Sequence, residues 1–235
     1  MLSNNWVALI ITFGLALGWL RLNDYLAHRG FLSSHLSRKI IHVGTGPIFV
    51  ICWLLFNDAP IARYLAALVP LAFTLQFLLI GVGIIKDEAS VQAMSRTGDR
   101  REILRGPLYY GIIFVVLTIL YWVNSPIGMV ALMLMCGGDG LADIFGRRYG
   151  SQKIPWNHQK SWIGSLSMFF GGLIFAILIL IPFITFDYFN GPISSYLPKL
   201  ALIALLATLV ESLPIHDLDN LTITLTAVIA GELLL

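Results

Sequence analysis

The segment GGDGLADIFGRRYG at residues 137–150 places two aspartates and two arginines directly after an apolar run. If a helix continues through it, Asp139, Asp143 and Arg147 are spaced four residues apart and share one face. Two carboxylates one turn apart repel each other unless a cation lies near both. Because Mg²⁺ is typically held by one or two carboxylates plus phosphate oxygens, this spacing predicts that Asp139 and Asp143 bind a divalent metal. An interfacial helix end with Asp–Arg pairs is the alternative.

A second polar segment, NHQKSWIGS at residues 157–165, leads into the next apolar run. Lys160 and Ser161 stand where the chain re-enters the membrane, beside a helix N-terminus that favours anions. A lysine and a hydroxyl group at such a terminus predict phosphate binding. The alternative is a serine N-cap next to a lysine whose ammonium group reaches the membrane surface.

Upstream, SRKIIHVGTGP at residues 37–47 carries Arg38, Lys39 and His42 at the start of an apolar run. Arg38 and His42 are four residues apart, so they can face the same cleft. This spacing predicts that the cations bind phosphate and that His42 contacts phosphate or moves a proton. A basic anchor at the membrane surface, with a histidine beside it, is the alternative.

The last polar connection, ESLPIHDLDN at residues 211–220, is acidic and contains no lysine or arginine. Glu211 ends one apolar run, and Asp217 and Asp219 precede the next. Ionisable residues at membrane depth are costly, so they indicate function, and Asp217 is a candidate base. A plain helix N-cap at Asp219 or Asn220 is the alternative.

The composition that surrounds these segments indicates an all-α, polytopic membrane protein with one domain over residues 1–235. Hydrophobic residues make up 57% of the chain, the mean hydropathy is +0.82 and 12% of the residues are charged, against about 25% in soluble domains. Cys52 and Cys136 both lie in apolar runs, which argues against a disulfide framework or a zinc site. Apolar runs predict about eight transmembrane helices, at 6–22, 40–56, 63–85, 107–123, 125–138, 162–185, 197–213 and 220–235. The short run 125–138 is the least certain to cross fully.

The distribution of basic residues tests this count, because lysine and arginine collect on the cytoplasmic side of membrane proteins. Of the 15 basic residues, only Arg63 and Lys199 fall in connections of one side. The others lie in or beside the first, third and fifth connections: Arg21, Arg29, Arg38, Lys39, Lys86, Arg96, Arg100, Arg101, Arg105, Arg147, Arg148, Lys153 and Lys160. Eight crossings with both termini outside explain this pattern, and they place the acidic connection 211–220 on the basic side.

Four of these polar segments carry a resemblance to a known family. RKIIH at 38–42, GDGLADIFGRRYG at 138–150, KSWIGS at 160–165 and ES…DLDN at 211–220 resemble the polyprenol kinase family, most closely its phytol kinases. The four segments occur in order along the chain, so the resemblance covers most of it.

The related dolichol kinases share a CTP-binding pattern whose spacing is similar to part of this sequence. Four residues keep that spacing: Asp139, Ala142, Gly146 and Gly150. After eight intervening residues the pattern continues at residues 159–161, where Lys160 and Ser161 fit it. Gln159 and Ile163 depart from it, because dolichol kinases have lysine and glutamate there, and this argues against dolichol as the substrate.

The resemblance implies a membrane kinase that transfers the γ-phosphoryl group of CTP, or of another nucleoside triphosphate, to a long-chain isoprenoid alcohol. Mg²⁺ or Mn²⁺ is the implied cofactor. Phytol is the expected substrate and geranylgeraniol the next, so the reaction would recover phytol released from chlorophyll and supply phytyl diphosphate for tocopherol.

For this reaction we expect the nucleotide and its phosphates to contact seven residues: Gly146, Arg147, Gly150, Lys160, Ser161, Arg38 and Lys39. Asp139 and Asp143 are the expected metal ligands. The alcohol proton is expected to pass to Asp143, His42 or Asp217. The prenyl tail is expected in a groove between helices, along the row of small residues Gly138, Ala142, Gly146 and Gly150.

The expected partners are the lipid bilayer, the isoprenoid alcohol and the nucleotide, and nucleic acid is not expected. The sequence leaves the oligomeric state open. The expected location is a bacterial, cyanobacterial membrane, in which the chain is a multi-pass protein with its active site on the cytoplasmic face.

Two other functions stay open at this point. A cytidylyltransferase that activates phosphatidate would also combine CTP, Mg²⁺ and a membrane lipid. A membrane transporter would use intramembrane acids as an ion path, although such charges usually lie near the bilayer midplane rather than at one interface.

Overall fold

Helices account for most of the chain in the computed structural model, which describes residues 2, 4–95, 97–215 and 218–235. Ten α-helices occur among these residues: α1 (Asn5–His28), α2 (Ser34–Ile51), α3 (Ala62–Val82), α4 (Glu88–Met94), α5 (Gly106–Leu120), α6 (Pro126–Met133), α7 (Gly140–Tyr149), α8 (Trp162–Thr185), α9 (Ile193–Glu211) and α10 (Asp219–Leu234). Two 3₁₀ segments, Cys52–Leu55 and Arg100–Leu104, follow α2 and precede α5. A π-helical segment, Leu134–Asp139, joins α6 to α7. Strands β1 (Lys153–Ile154) and β2 (Asn157–Ser161) form an antiparallel hairpin.

Helical stretches long and apolar enough to cross a membrane confirm the predicted all-α, polytopic architecture. The described residues contain seven: Asn5–His28, His35–Leu55, Ala62–Val82, Arg100–Leu120, Pro126–Tyr149, Trp162–Thr185 and Ile193–Glu211. The eighth predicted run forms α10, which has 16 residues. A helix of that length is about 24 Å long, shorter than the ~30 Å hydrocarbon core of a bilayer.

Contacts at one end of the bundle show how α10 is placed. Arg63 donates a hydrogen bond to the carbonyl of Ile119 at 3.4 Å, which brings the start of α3 to the end of α5. Just beyond α5, the hydroxyl of Tyr121 donates to Glu232 Oε1 at 2.7 Å, near the end of α10. Because α10 begins at the opposite end of the bundle, it runs the length of the bundle despite being short.

That opposite end holds the charged residues, and we call it the polar end. It comprises the start of α2, the π segment with α7, the β1–β2 hairpin, the end of α9 and the start of α10. Lys39 Nζ on α2 lies 3.5 Å from Asp139 Oδ2, and Lys160 Nζ on β2 lies 3.2 Å from Asp219 Oδ2. The acidic residues that follow α9 therefore face the basic segments, as the sequence predicts.

The passage formed by α6, the π segment and α7 is buried at the centre of the bundle. The side chains from Met129 to Cys136 are each at most 1% exposed. The helix is continuous from Pro126 to Tyr149, so it extends beyond the apolar run 125–138 and through the acidic segment, as the shared face of Asp139 and Asp143 requires. The apolar run itself ends where the charges begin. Asp139 nevertheless remains helical, because Lys39 from α2 compensates its charge inside the bundle.

The row Gly138, Ala142, Gly146 and Gly150 packs against α8 and the end of β2. A Cβ added at Gly138 would lie 2.7 Å from Met168 Sδ, and one at Gly146 would lie 3.3 Å from the Cα of Gly164. The row thus admits a neighbouring helix, as its small residues predict. Ala142 and Gly146 also line a cavity, and the expectation that the prenyl tail lies along this row stays a prediction.

Within this row, Gly150 should be the position at which an added side chain destabilises the fold most. A Cβ there would overlap the carbonyl oxygen of Gly146 and the side chain of Ser161, and a backbone atom cannot turn aside. We expect Gly150→Ala to lower the free energy of unfolding by about 1–3 kcal/mol. Gly14→Ala is the matched control, because a Cβ at Gly14 has no atom within 4 Å. Thermal unfolding in detergent measures both, and equal melting temperatures would contradict this packing.

Candidate active site

A cavity of about 1150 Å³ joins the polar end of the bundle to its interior. Its polar part is lined by cationic and acidic side chains of the described residues: Arg38, Lys39, Arg105, Arg147, Lys153 and Lys160, together with Glu102, Asp139, Asp143, Glu211 and Asp219. Arg147 and Lys153 are solvent-exposed, so the cavity meets water at this end. Mixed charges of this kind fit a ligand that combines phosphate groups with a cation.

Asp139 and Asp143 lie one helical turn apart and face Lys39 of α2. Lys39 Nζ is 3.5 Å from Asp139 Oδ2 and 3.7 Å from Asp143 Oδ2. Asp143 Oδ1 also accepts a hydrogen bond from Arg147 Nε at 2.8 Å. The shared face that the spacing predicts is therefore present. The compensating cation comes from a helix about one hundred residues earlier in the chain.

Two histidines of α2 approach the same carboxylates. His42 Nε2 lies 3.5 Å from Asp139 Oδ2 and donates to the carbonyl of Met135 at 3.1 Å. His35 Nε2 lies 3.1 Å from Asp143 Oδ2. Sequence reasoning missed His35, although His35, Lys39 and His42 are spaced at i, i+4 and i+7 and so share a helical face.

A close contact between α2 and the π segment sets the position of His42. A Cβ added at Gly46 would lie 2.6 Å from Cys136 Sγ, so only glycine permits this approach. From α5, the hydroxyl of Tyr110 donates to the carbonyl of His42 at 2.8 Å and lies 3.2 Å from Cys136 Sγ. Tyr110 carries no signal in the sequence, because it lies in an apolar run. Only the packing of α5 on α2 reveals its role.

Lys160 points inward and forms ion pairs with two acids. Its ammonium group contacts Glu211 Oε1 and lies 3.2 Å from Asp219 Oδ2. Burial alone would lower the pKa of Lys160, but the two carboxylates raise it above its ordinary value, so the side chain stays protonated. The ammonium group of Lys160 therefore does not extend to the membrane surface, which was the alternative to phosphate binding.

The β1–β2 hairpin holds Lys160 in this position. Asn157 Nδ2 donates to the carbonyls of Ser212 and Leu213, at 3.2 and 3.1 Å. Trp156 Nε1 donates to Ser212 Oγ at 3.2 Å. The hairpin is thus attached to the end of α9, which carries Glu211, and the pairing of Lys160 follows from that attachment.

Ser161 caps helix α8. Its Oγ accepts a hydrogen bond from the backbone N–H of Gly164 at 3.1 Å, and the side chain is 3% exposed. The structure thus contains the serine N-cap that the sequence analysis gave as the alternative to phosphate binding. Ser161 still lines the cavity together with Gly146, while Gly150 packs beneath it.

Proteins similar to this chain cover most of its length. A probable phytol kinase 1, chloroplastic, of Oryza sativa subsp. japonica is 46% identical over 228 residues, which is 96% of this chain and 72% of the relative. A probable phytol kinase, chloroplastic, of Triticum aestivum is 41% identical over 236 residues, covering 100% of this chain and 78% of the relative. The chain belongs to the phytol kinase family.

A third relative has a name from the same family. Phytol kinase 1, chloroplastic, of Arabidopsis thaliana is 39% identical over 212 residues, covering 89% of this chain and 70% of the relative. No family model and no solved structure matches the chain. As a member of the phytol kinase family, the chain is a lipid-alcohol kinase embedded in a membrane.

These relatives correct the predicted location. All three are proteins of plants and are named chloroplastic, so the prediction of a bacterial, cyanobacterial membrane is wrong. The prediction that the active site lies on the cytoplasmic face is wrong for the same reason, because it assumed a bacterial membrane. The basic residues alone, without knowledge of the organism, cannot distinguish one compartment from another.

Three further residues of this phytol kinase family member were predicted for the site: Arg38, Arg147 and Asp217. Arg38 lines the cavity beside Lys39. Arg147 also lines it and is paired with Asp143. Asp217 lies outside the described residues. Its neighbour Asp219 is the residue that the structure places against Lys160.

Asp139 and Asp143 could hold a divalent metal. The described residues contain no group of three or more His, Cys, Asp or Glu side chains arranged around one metal position. One or two carboxylates completed by phosphate oxygens and water are the usual ligands of Mg²⁺ in phosphoryl-transfer sites, so this pair fits. Asp143 Oδ2 is buried and lies 3.1 Å from His35 Nε2 and 3.7 Å from Lys39 Nζ, so a bound metal would take the place of these contacts.

The Lys160 ion pairs should contribute strongly to stability. Glu211 is 2% exposed, and replacing Lys160 by methionine would leave its carboxylate buried without a cation. We expect Lys160→Met to lower the free energy of unfolding by about 3 kcal/mol. Lys153→Met, at an exposed lysine of the same hairpin, is the control and should change it by less than about 0.5 kcal/mol. Unfolding by SDS titration in micelles measures both, and equal losses would argue against the buried pair.

Proposed function

We propose that this member of the phytol kinase family phosphorylates phytol, with geranylgeraniol as its next substrate, and uses CTP as the phosphoryl donor. One observation carries the proposal. A single cavity joins a cluster of cations and carboxylates at the polar end to an apolar interior between helices. A water-soluble nucleotide and the hydroxyl group of a membrane alcohol can meet in such a cavity.

The donor phosphates would be bound by cations that line the polar part. Lys39 and Arg38 of α2, Arg147 of α7 and Lys160 of β2 approach from different elements. Phosphoryl transfer needs little covalent help from a protein, and its rate depends on positioning and on compensation of charge. Ser161 and Gly146 form the adjacent wall of the cavity.

Asp139 is the proposed principal ligand of Mg²⁺ or Mn²⁺, with Asp143 beside it. A divalent metal held by these carboxylates would supply positive charge close to the phosphate groups of the donor. Asp139 Oδ2 is 3.5 Å from both Lys39 Nζ and His42 Nε2, so the carboxylate is held in a fixed direction. That fixed position suits a ligand that must meet a metal with defined geometry.

Asp143 is the proposed acceptor of the alcohol proton. His42 Nε2 carries its hydrogen toward the carbonyl of Met135, since a carbonyl can only accept, so that nitrogen has no free lone pair. Asp143 Oδ2 lies 3.1 Å from His35 Nε2, and as a carboxylate oxygen it has lone pairs that can accept a proton. In that role Asp143 would leave Asp139 as the carboxylate that holds the metal.

The proposed product is phytyl phosphate. Its further phosphorylation would give phytyl diphosphate, a precursor of tocopherol, and the phytol would come from chlorophyll. A chloroplast membrane is the proposed location, in line with the names of the relatives.

Asp139→Asn should abolish kinase activity without unfolding the protein. The amide keeps the shape of the side chain but removes the charge that a metal needs, so we expect turnover to fall about 1000-fold. Asp24→Asn, at an exposed aspartate of α1, is the control and should keep normal turnover. Lipid phosphorylation and thermal unfolding in detergent are both measured. Near-normal turnover of the Asp139 variant would remove this residue from the metal site.

The position of the label in CTP separates a kinase from a cytidylyltransferase. Purified protein is given phytol, geranylgeraniol, farnesol, dolichol or diacylglycerol with CTP labelled at the γ- or the α-phosphate. We expect the γ-label alone to enter the lipid, with phytol and geranylgeraniol as the best acceptors. ATP, GTP and UTP tested in parallel establish the preferred donor. Transfer of the α-label would contradict the proposal, and no labelled lipid with any donor would favour transport.

A further inference from the structure

Below the polar cluster, the cavity continues as an apolar chamber between α1, α2, α3 and α5. Its walls include large apolar side chains: Leu20, Phe49, Val69, Phe73, Phe77 and Phe114. The polar groups beside these walls are already bonded. Thr45 Oγ1 donates to the carbonyl of Ile41 at 2.6 Å, and the Tyr110 hydroxyl donates to the carbonyl of His42. An apolar ligand can therefore fill the chamber without leaving a donor unsatisfied.

The depth of this chamber follows from the length of helix α2 that lines it. Lys39 contacts the carboxylates at the polar end, and Phe49, ten residues later on the same helix, lines the interior part of the cavity. Ten residues of α-helix rise about 15 Å. An alcohol whose hydroxyl group lies near Asp139 thus has space for a long extended tail.

Two aromatic rings close the chamber at its inner end. Phe49 of α2 and Phe114 of α5 are 5.6 Å apart between ring centroids, and both are almost fully buried. Behind Phe49, the ring of Trp53 packs edge-on at 6.0 Å, and Trp53 in turn packs on Trp122 at 4.8 Å. Trp53 is 0% exposed and does not line the cavity. The phenylalanine pair is therefore a floor supported by a layer of tryptophans.

We propose that the apolar chamber binds the isoprenoid tail of the alcohol and that Phe49 and Phe114 set the longest tail that fits. The inference rests on the proposed kinase function and adds where the substrate lies and what limits its length. Continuity of the chamber with the polar cluster supports it. The hydroxyl group is the only polar part of such an alcohol, and the charged residues that line this cavity among those described lie at the polar end or in the adjoining segment 102–105.

The size of the floor residues predicts the direction of a change in specificity. Removing the ring of Phe49 opens space toward Trp53, and removing the ring of Phe114 enlarges the chamber beside it, so an alcohol with one more isoprene unit gains room. Replacing Phe114 by tryptophan does the opposite and should disfavour long tails. Because buried apolar contacts discriminate by size, one unit is expected to change relative specificity roughly tenfold.

The test uses the full chain in detergent with CTP and three alcohols that differ by one isoprene unit: farnesol, geranylgeraniol and geranylfarnesol. We compare kcat/KM for geranylfarnesol with kcat/KM for geranylgeraniol. The ratio should rise roughly tenfold in Phe49→Ala and Phe114→Ala, while Phe114→Trp should shift the preference toward farnesol. Phe49→Leu and Phe114→Leu repeat the test with smaller cavities in case the alanine variants do not fold.

Phe183→Ala is the matched control, because Phe183 of α8 is equally buried but does not line the cavity. It should leave the ratio unchanged even if it lowers stability. An unchanged ratio in every folded floor variant would overturn the inference while the kinase function stands. Absence of activity in the parent chain with any alcohol would instead count against the kinase function.

A binding experiment separates these two failures. A geranylgeraniol analogue with a photoreactive diazirine at the end of its tail is bound to the parent chain and irradiated, and the labelled peptides are identified. We expect labels near Phe49 and Phe114, which requires no catalysis. Labels on the exposed apolar side of α8, around Ile174 and Leu178, would place the tail in lipid outside the chamber and overturn the inference.

Discussion

Carboxylates buried inside a helix bundle must be compensated by cations, and this constraint organises the polar end of the molecule. Asp139 is 9% exposed and Glu211 is 2% exposed. A buried charge without a partner is strongly destabilising, so each acid requires a basic side chain from another element. Lys39 of α2 and Lys160 of β2 supply these charges. The requirement ties α2 to the central helix and the hairpin to α9 and α10, and it thereby forms the wall of the cavity.

Close packing of the central helix makes these pairings possible. Gly46 lets α2 approach the π segment at Cys136, and Gly146 lets α8 approach α7 at Gly164. Larger residues at these points would separate the helices and move the cations away from the acids. The π segment that ends at Asp139 is a feature often found at functional sites, and here the residue at its end faces the cavity. Packing and electrostatics therefore act on the same few turns of helix.

The cavity has a charged part and an apolar part, and a lipid kinase needs both to bind its two substrates. Its substrates differ in solubility, because a nucleotide carries several charges and a prenyl alcohol carries one hydroxyl group on a long apolar tail. The polar end offers charges of both signs, while the interior between α2, α3 and α5 offers aromatic and aliphatic walls. The boundary between the two parts lies beside Lys39, His42 and Asp139, where a phosphoryl group and a hydroxyl group would meet.

Much of this arrangement could be predicted from local patterns. Long apolar runs predict helices because the bilayer leaves few other structures possible, and the four-residue spacing of Asp139 and Asp143 places both on one face. Patterns of that kind depend only on neighbours along the chain. They could not show that the helix beginning at Pro126 continues to Tyr149, nor that α8 packs against the row of small residues. Those outcomes depend on which distant helix packs against each face.

The sequence by itself determined the membrane character, the family and the acidic helix face, because composition, hydropathy and motif spacing are local properties. Only the tertiary structure decided that Lys160 pairs with Glu211 and Asp219, that His35 and Tyr110 join the site, and that the apolar chamber ends at Phe49 and Phe114. The partners in these contacts are separated by about 50 to 110 residues along the chain. No periodicity relates them, and they meet because burial forces charges to pair and helices to fill one another's surfaces.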